Sequence, residues 1–134
     1  MQRPGGVRME LRDLLSGEIF TIPHGATVAE AAECMEQEGV GSLAVIEDGD
    51  LSGIITERDV VVCVAQGDGP SEEVVGDWMT PYPDSFLPDM DVKEAADWML
   101  AAGYRHLPVV DNGVLLGMAS IKDILWAVTG EAVE

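Results

Sequence analysis

Thr56 and Asp59 stand three residues apart in "GIITERD" (residues 53–59), and Ser120 and Asp123 repeat that spacing in "GMASIKD" (residues 117–123). A hydroxyl and a carboxylate at this spacing, where a strand gives way to a helix, support two kinds of chemistry. The pair can cap the helix, each side chain bonding the other residue's backbone amide. Alternatively, the corner can hold a ligand. A cation sits inside each motif, Arg58 in the first and Lys122 in the second, and Arg105 and His106 precede the apolar run "LPVV". No Ser-His-Asp or Cys-His arrangement is evident, and the two aspartates belong to separate corners rather than to one acid–base pair, so an enzyme is not expected.

The bulk properties narrow the partners. The chain has 134 residues, 47% of them apolar, and carries 25 acidic against 7 basic residues for a net charge of −18. Such a charge repels phosphate backbones and anionic membranes, which argues against nucleic acid and membrane surfaces as partners. The few cations, Arg3, Arg8, Arg12, Arg58, Lys93, Arg105 and Lys122, gain interest from their scarcity. No apolar run is long enough to cross a bilayer, and "MQRPGGVRMELRD" lacks the apolar core of a signal peptide, so a cytoplasmic protein is expected. Cys34 and Cys63 lie in apolar helical stretches, away from any histidine at zinc-ligand spacing, and read as buried free thiols. No metal site is expected.

The two corners belong to a longer repeat. Sliding the chain on itself by 64 positions (91 − 27 = 64) aligns residues 11–64 with 75–128 without a gap, and 14 of the 54 pairs are identical, among them Ala31/Ala95, Met35/Met99, Gly39/Gly103, Gly53/Gly117 and Asp59/Asp123. This is a tandem duplication. Each copy reads as an extended segment, a helix, a hairpin and a second helix. Thr27 or Asp91 caps the first helix, with Glu30 or Glu94 completing a capping box, and Gly39 or Gly103 ends it. Asp48-Gly49 and Asn112-Gly113 join the hairpin strands. By itself "VVVCVA" reads equally as strand or helix. Its counterpart "DILWAV" is a better helix former, and a gapless repeat shares one backbone, so both closing segments are read as helices. The extended segments are "IFTIP" (19–23) and "DSFLP" (84–88). Trp78, Trp98 and Trp126 fall in the second copy and read as packing residues.

The expected fold is α/β of the α+β type, two repeats burying their sheet faces with pseudo-twofold symmetry. Its divisions are a tail (1–10), the first repeat (11–66), a linker (67–74), the second repeat (75–129) and a tail (130–134).

The order "TVAEAAECM", "GVGSLAVIEDGDLSGIITERDVV", then "DVKEAADWM", "GYRHLPVVDNGVLLGMASIKDIL" resembles a tandem pair of cystathionine-β-synthase (CBS) domains, the Bateman module. The "VGDWMTP" at 75–81 is similar to the segment that opens the second repeat in that family. The resemblance spans roughly residues 11–128. It implies a regulatory module that takes an adenosine ligand in clefts between its repeats, dimerises, and acts through a separate effector protein. AMP, ADP or ATP is the implied ligand, with S-adenosylmethionine or NAD as further options, and no cofactor is required.

By the same resemblance Asp59 and Asp123 accept the ribose hydroxyls, while Thr56 and Ser120 meet phosphate, joined by Arg58, Lys122, Arg105 and His106. A carboxylate can accept two charge-assisted bonds from a vicinal diol, and a helix start offers free N–H groups to phosphate. The adenine walls would come from Thr21, Ile22, Pro23, Val40 and Ala44 in one repeat and from Ser85, Phe86, Leu87, Tyr104 and Pro108 in the other. Gly41 and Ser42 stand where the second repeat has Arg105 and His106, so the two sites should differ. The competing expectation is a ligand-independent CBS scaffold or protein-interaction adaptor.

Overall fold

A computed structural model describes residues 8–129. Arg3, most of the N-terminal tail and the C-terminal tail 130–134 lie outside the described residues. Most elements follow the repeat. A 3-10 turn at Leu11–Leu14 is matched by a short helix α3 at Val75–Trp78. Helix α1 (Val28–Glu38) is matched by α4 (Val92–Ala102), and strand β2 (Ser42–Glu47) by β5 (His106–Asp111). Strand β3 (Asp50–Thr56) answers β6 (Val114–Ser120), and α2 (Glu57–Gln66) answers α5 (Ile121–Thr129). Even the irregularity between Val45 and Ile46 recurs between Val109 and Val110.

Local chemistry explains these elements. Thr27 and Glu30 exchange side chain-to-backbone bonds at the start of α1. Gly39 and Gly103 close α1 and α4 in the left-handed region (φ 69° and 81°), where a side chain would be strained. Both residues of each hairpin turn have positive φ, as a two-residue I′ connection demands, and Asp48 and Asn112 tolerate this better than most side chains. The ambiguous "VVVCVA" is helical, as its pairing with "DILWAV" requires.

Two expectations need correction. At α4, Asp91 accepts from the amides of Lys93 and Glu94, but Glu94 returns no bond, so only half of the box forms. The backbone there is engaged instead: Glu10 bridges Asp91, and the Val92 amide donates to Met9 O. The second extended segment is the other case. Thr21–Pro23 forms strand β1, parallel to β2, flanked by bonds from Ala44 N to Phe20 O and from His24 N to Ile46 O. The matching donors are Pro108 and Pro88, which have no N–H. The segment is therefore reduced to a single bridge, Phe86 to Val109.

The described residues fall into two compact units whose membership differs from the order of the repeats. One is Ile19–Pro83; the other joins the described residues up to Glu18 to those from Asp84 onward. The first holds the sheet β1-β2-β3-β4, in which the two-residue strand β4 (Thr80–Pro81) pairs with β3 at Gly53 and Ile54. Its core includes Val28, Met35, Leu43, Ile55, Cys63 and also Val75 from α3, with Trp78 and Met79 packed against it. The second unit holds β5-β6 and a core of Phe86, Met99, Leu107 and Ile124, joined by Leu11 and flanked by Met9, Leu14 and Leu15. Each repeat's opening turn thus packs in the other repeat's unit. Trp78, in the second repeat's opening turn, accordingly packs in the unit that holds most of the first repeat. Cys34 and Cys63 are free thiols, the latter buried. No described helix is long and apolar enough to cross a membrane.

Candidate functional site

Strand β3 delivers Thr56 to the start of α2 in an extended conformation (φ −123°, ψ 169°). From there the Thr56 amide donates to Asp59 Oδ2 at 2.8 Å and the Thr56 hydroxyl donates to the same oxygen at 3.1 Å, while Thr56 Oγ1 accepts from the Asp59 amide at 3.3 Å. The capping reading of this corner is therefore realised. Burial pushes the Asp59 carboxyl above its ordinary range, opposed by the two Thr56 bonds and by the nearby Arg58 guanidinium. The Glu57 amide donates to Gly41 O at 3.1 Å, which ties the corner to the residue before β2.

The second corner shares the frame but not the closure. Strand β6 brings Ser120 opposite His106 on β5, and the Ile121 amide donates to Arg105 O at 2.8 Å, as Glu57 does to Gly41. Among the described residues, however, no hydrogen bond joins the side chains of Ser120 and Asp123, and no ion pair joins Asp123 to Arg105 or Lys122. Asp123, Lys122 and Arg105 are all exposed, with His106 and Ser120 half-buried beside them. The unit containing the second corner therefore carries an uncapped carboxylate and two accessible cations at one strand-to-helix turn. The first corner carries a half-buried carboxylate bonded to its own helix cap, and Arg58.

The proposed adenine residues divide. Thr21 pairs with Ala44 across β1 and β2, and Val40 is packed against the first core. Ile22 is itself a core residue, and Pro23 is exposed. In the second unit Ser85 and Leu87 are exposed, whereas Phe86 is buried in the core and Pro108 is buried opposite Met118. Tyr104 stacks on Trp98, with centroids 5.5 Å apart and planes 5° apart, and its hydroxyl donates to Asp84 Oδ2 at 3.3 Å. Phe86 meets the other ring edge-on at 5.6 Å.

Two groupings were not legible from spacing. One is this ladder of Phe86, Trp98 and Tyr104 ending on Asp84. The other is Glu73, whose carboxylate accepts from the Asp68 amide at 2.8 Å and from Trp78 Nε1 at 3.0 Å, clasping the linker. Those bonds hold the Glu73 carboxyl below its ordinary range. Among the described residues no group of His, Cys, Asp or Glu is placed to hold a metal.

Comparison with known proteins places this geometry in context. The sequence profile of the CBS domain matches twice, at residues 11–65 and 75–130. A 17.7 kDa protein of Acidianus ambivalens is 36% identical over 120 residues, 88% of this chain and 72% of that protein. Protein MK0525 of Methanopyrus kandleri is 41% identical over 111 residues, 81% of this chain but 57% of that protein. Among solved structures, the CBS domain pair of protein MJ0100, in complex with 5′-methylthioadenosine and S-adenosyl-L-methionine, is similar with a TM-score of 0.82 and 25% identity, over 93% of this chain and 99% of that one.

Proposed function

The chain belongs to the CBS-domain family, and on that premise we propose that it is a regulatory module, not an enzyme, that binds an adenosine-containing ligand at its second strand-to-helix corner. Asp123 accepts the ribose hydroxyls there, and Ser120, Lys122, Arg105 and His106 face the phosphate. The observation that carries this reading is the difference between the two corners. Asp59 is half-buried and already bonded to Thr56, whereas Asp123 is exposed and uncapped, with two exposed cations on neighbouring residues.

A ligand at the first corner has to compete with the bonds between Thr56 and Asp59; at the second corner Ser120 and Asp123 make no such bond to each other. Tyr104 and Leu87, both exposed, supply apolar surface for a base in the second unit. The ligands of MJ0100 support adenosine as the shared element. The cations favour a phosphorylated form, AMP, ADP or ATP. The protein acts in the cytoplasm as a dimer, and ligand binding shifts the population of its conformations so that an effector protein reads the change.

Calorimetric titration of the intact chain with AMP, ADP, ATP, NAD and S-adenosylmethionine tests the proposal. Heat of binding from at least one is expected. Silence from all five overturns it and leaves the ligand-independent adaptor.

A further inference from the structure

The strands that lead to the two corners differ at one edge. In the first unit β4 lies along the outer edge of β3, with Pro81 opposite Gly53 and Thr80 opposite Ile54, and the Tyr82 amide donates to Ser52 O at 3.0 Å. The repeat puts Ser16, Gly17 and Glu18 at the positions of Thr80, Pro81 and Tyr82. It likewise puts Leu116, Gly117 and Met118 at those of Ser52, Gly53 and Ile54. Among the described residues, however, β6 pairs with β5 alone, and its outer edge has no strand beside it.

The missing strand is close at hand. The Leu15 side chain lies over Gly117 as that of Met79 lies over Gly53, so the residue leading into Ser16 is already seated in the matching register. Beyond it the chain turns away. Gly17 is left-handed (φ 89°), and the Glu18 amide, which answers that of Tyr82, donates to Ser16 Oγ at 3.2 Å instead of to Leu116 O. The residue types explain this. Proline at 81 fixes its own φ at about −65° and favours an extended Thr80, whereas Gly17 adopts either hand freely. Pairing with β6 would exchange one side-chain bond for backbone bonds to a strand edge, so the two arrangements lie close in free energy.

We propose that residues 16–18 are a latent edge strand that pairs with β6 when the second corner is occupied. The inference rests on the ligand reading above and supplies the step by which occupancy is passed on from the corner. Strand β6 ends on Ser120, two residues beyond Met118, and a strand held on both sides presents that hydroxyl with less motion to lose on binding. The first repeat displays the paired form: β3, flanked by β2 and β4, leads to a corner whose hydroxyl is bonded. Glu18 is also the last residue of its unit before the chain passes to Ile19 of the other, so pairing moves the connection itself.

Amide hydrogen exchange of the intact chain, read residue by residue by NMR, tests this. Saturating AMP should slow exchange at Met118 and Glu18 by about tenfold or more, while Ile54, already paired with β4, changes little. Ser16→Thr with Gly17→Pro gives the connection the residues of β4, and among the described residues the Gly17 amide makes no hydrogen bond that would be lost. This double variant should slow the same two amides without AMP and bind AMP about threefold more tightly, because the paired form is populated beforehand. Unchanged exchange at Met118 and Glu18 in both experiments, with heat from AMP still measured by calorimetry, overturns the latent strand and leaves the ligand site standing. So does slowing shared equally by Ile54, which reports stabilisation of the whole fold. Slowing in the double variant with no heat from AMP in either protein overturns the ligand reading instead, and the coupling with it.

Discussion

The Thr56 hydroxyl donates to Asp59 Oδ2 at 3.1 Å and accepts the Asp59 amide at 3.3 Å, so these two residues close on each other at the first corner. Their counterparts Ser120 and Asp123, on the same backbone frame, are not joined by a side-chain bond among the described residues. A duplicated motif has thus separated into a corner whose hydroxyl and carboxylate satisfy each other and one whose hydroxyl and carboxylate do not.

The closed corner has a pH signature. Burial raises the Asp59 pKa above the unfolded value. The contribution of this group to stability is therefore complete below the unfolded pKa and is lost as pH rises through the raised folded one. Asp59→Asn keeps an acceptor for the Thr56 amide but cannot ionise, so its urea midpoint should vary less with pH across that interval, and at neutral pH it should match or exceed the unaltered protein. Thr56→Ala should cost about 1 kcal/mol as a lost cap, and Ser120→Ala distinctly less. Equal losses at the two positions would contradict the asymmetry.

The exchanged opening turns predict an effect distant in sequence. Leu11 is 1% exposed and sits in the core with Phe86, Met99 and Ile124, and its amide donates to Met90 O at 2.9 Å. Leu11→Ala should destabilise the protein by about 2–5 kcal/mol in urea unfolding, the range for a leucine removed from a packed core. A loss below about 1 kcal/mol would mean that the turn is not part of that core.

The paired glycines should respond differently to one methyl group. A Cβ on Gly53 would lie 2.7 Å from Thr80 O and 2.5 Å from Met79 Sδ, where the backbone of β4 cannot yield. On Gly117 it would meet only the Leu15 side chain, nearest at 2.9 Å, and that flexible end can turn away. Gly53→Ala should therefore cost about 1–3 kcal/mol, as overpacking does, with Gly117→Ala the milder of the two. Thermal unfolding of the two variants ranks them.

Much of this was legible in the residues because local chemistry and the repeat agreed. Gly39 and Gly103, the Asp48-Gly49 and Asn112-Gly113 turns, and Thr27 with Glu30 each announced an element that formed. The repeat also resolved "VVVCVA", which periodicity left open. What escaped depended on contacts distant in sequence. Leu11 and Val75 show no local sign that each packs in the other repeat's unit. The reduction of "DSFLP" to a bridge follows from two missing donors, Pro88 and Pro108, visible only once the first repeat shows which bonds are needed. At the first corner the Thr-x-x-Asp spacing foretold the cap. It could not say that only the first pair would close, because that depends on burial and hydrogen bonding rather than residue type.

The central claim is that Asp123, not Asp59, carries the ligand, and AMP affinity measured by calorimetry for Asp123→Ala beside Asp59→Ala tests it most directly. A carboxylate that accepts two charge-assisted bonds is worth about 1.5–3 kcal/mol per bond, so Asp123→Ala should weaken binding by at least about tenfold. Asp59→Ala, once shown to be folded, should leave the affinity within a factor of about three. Retained affinity in Asp123→Ala with loss in Asp59→Ala would contradict the account and assign the ligand to the closed corner.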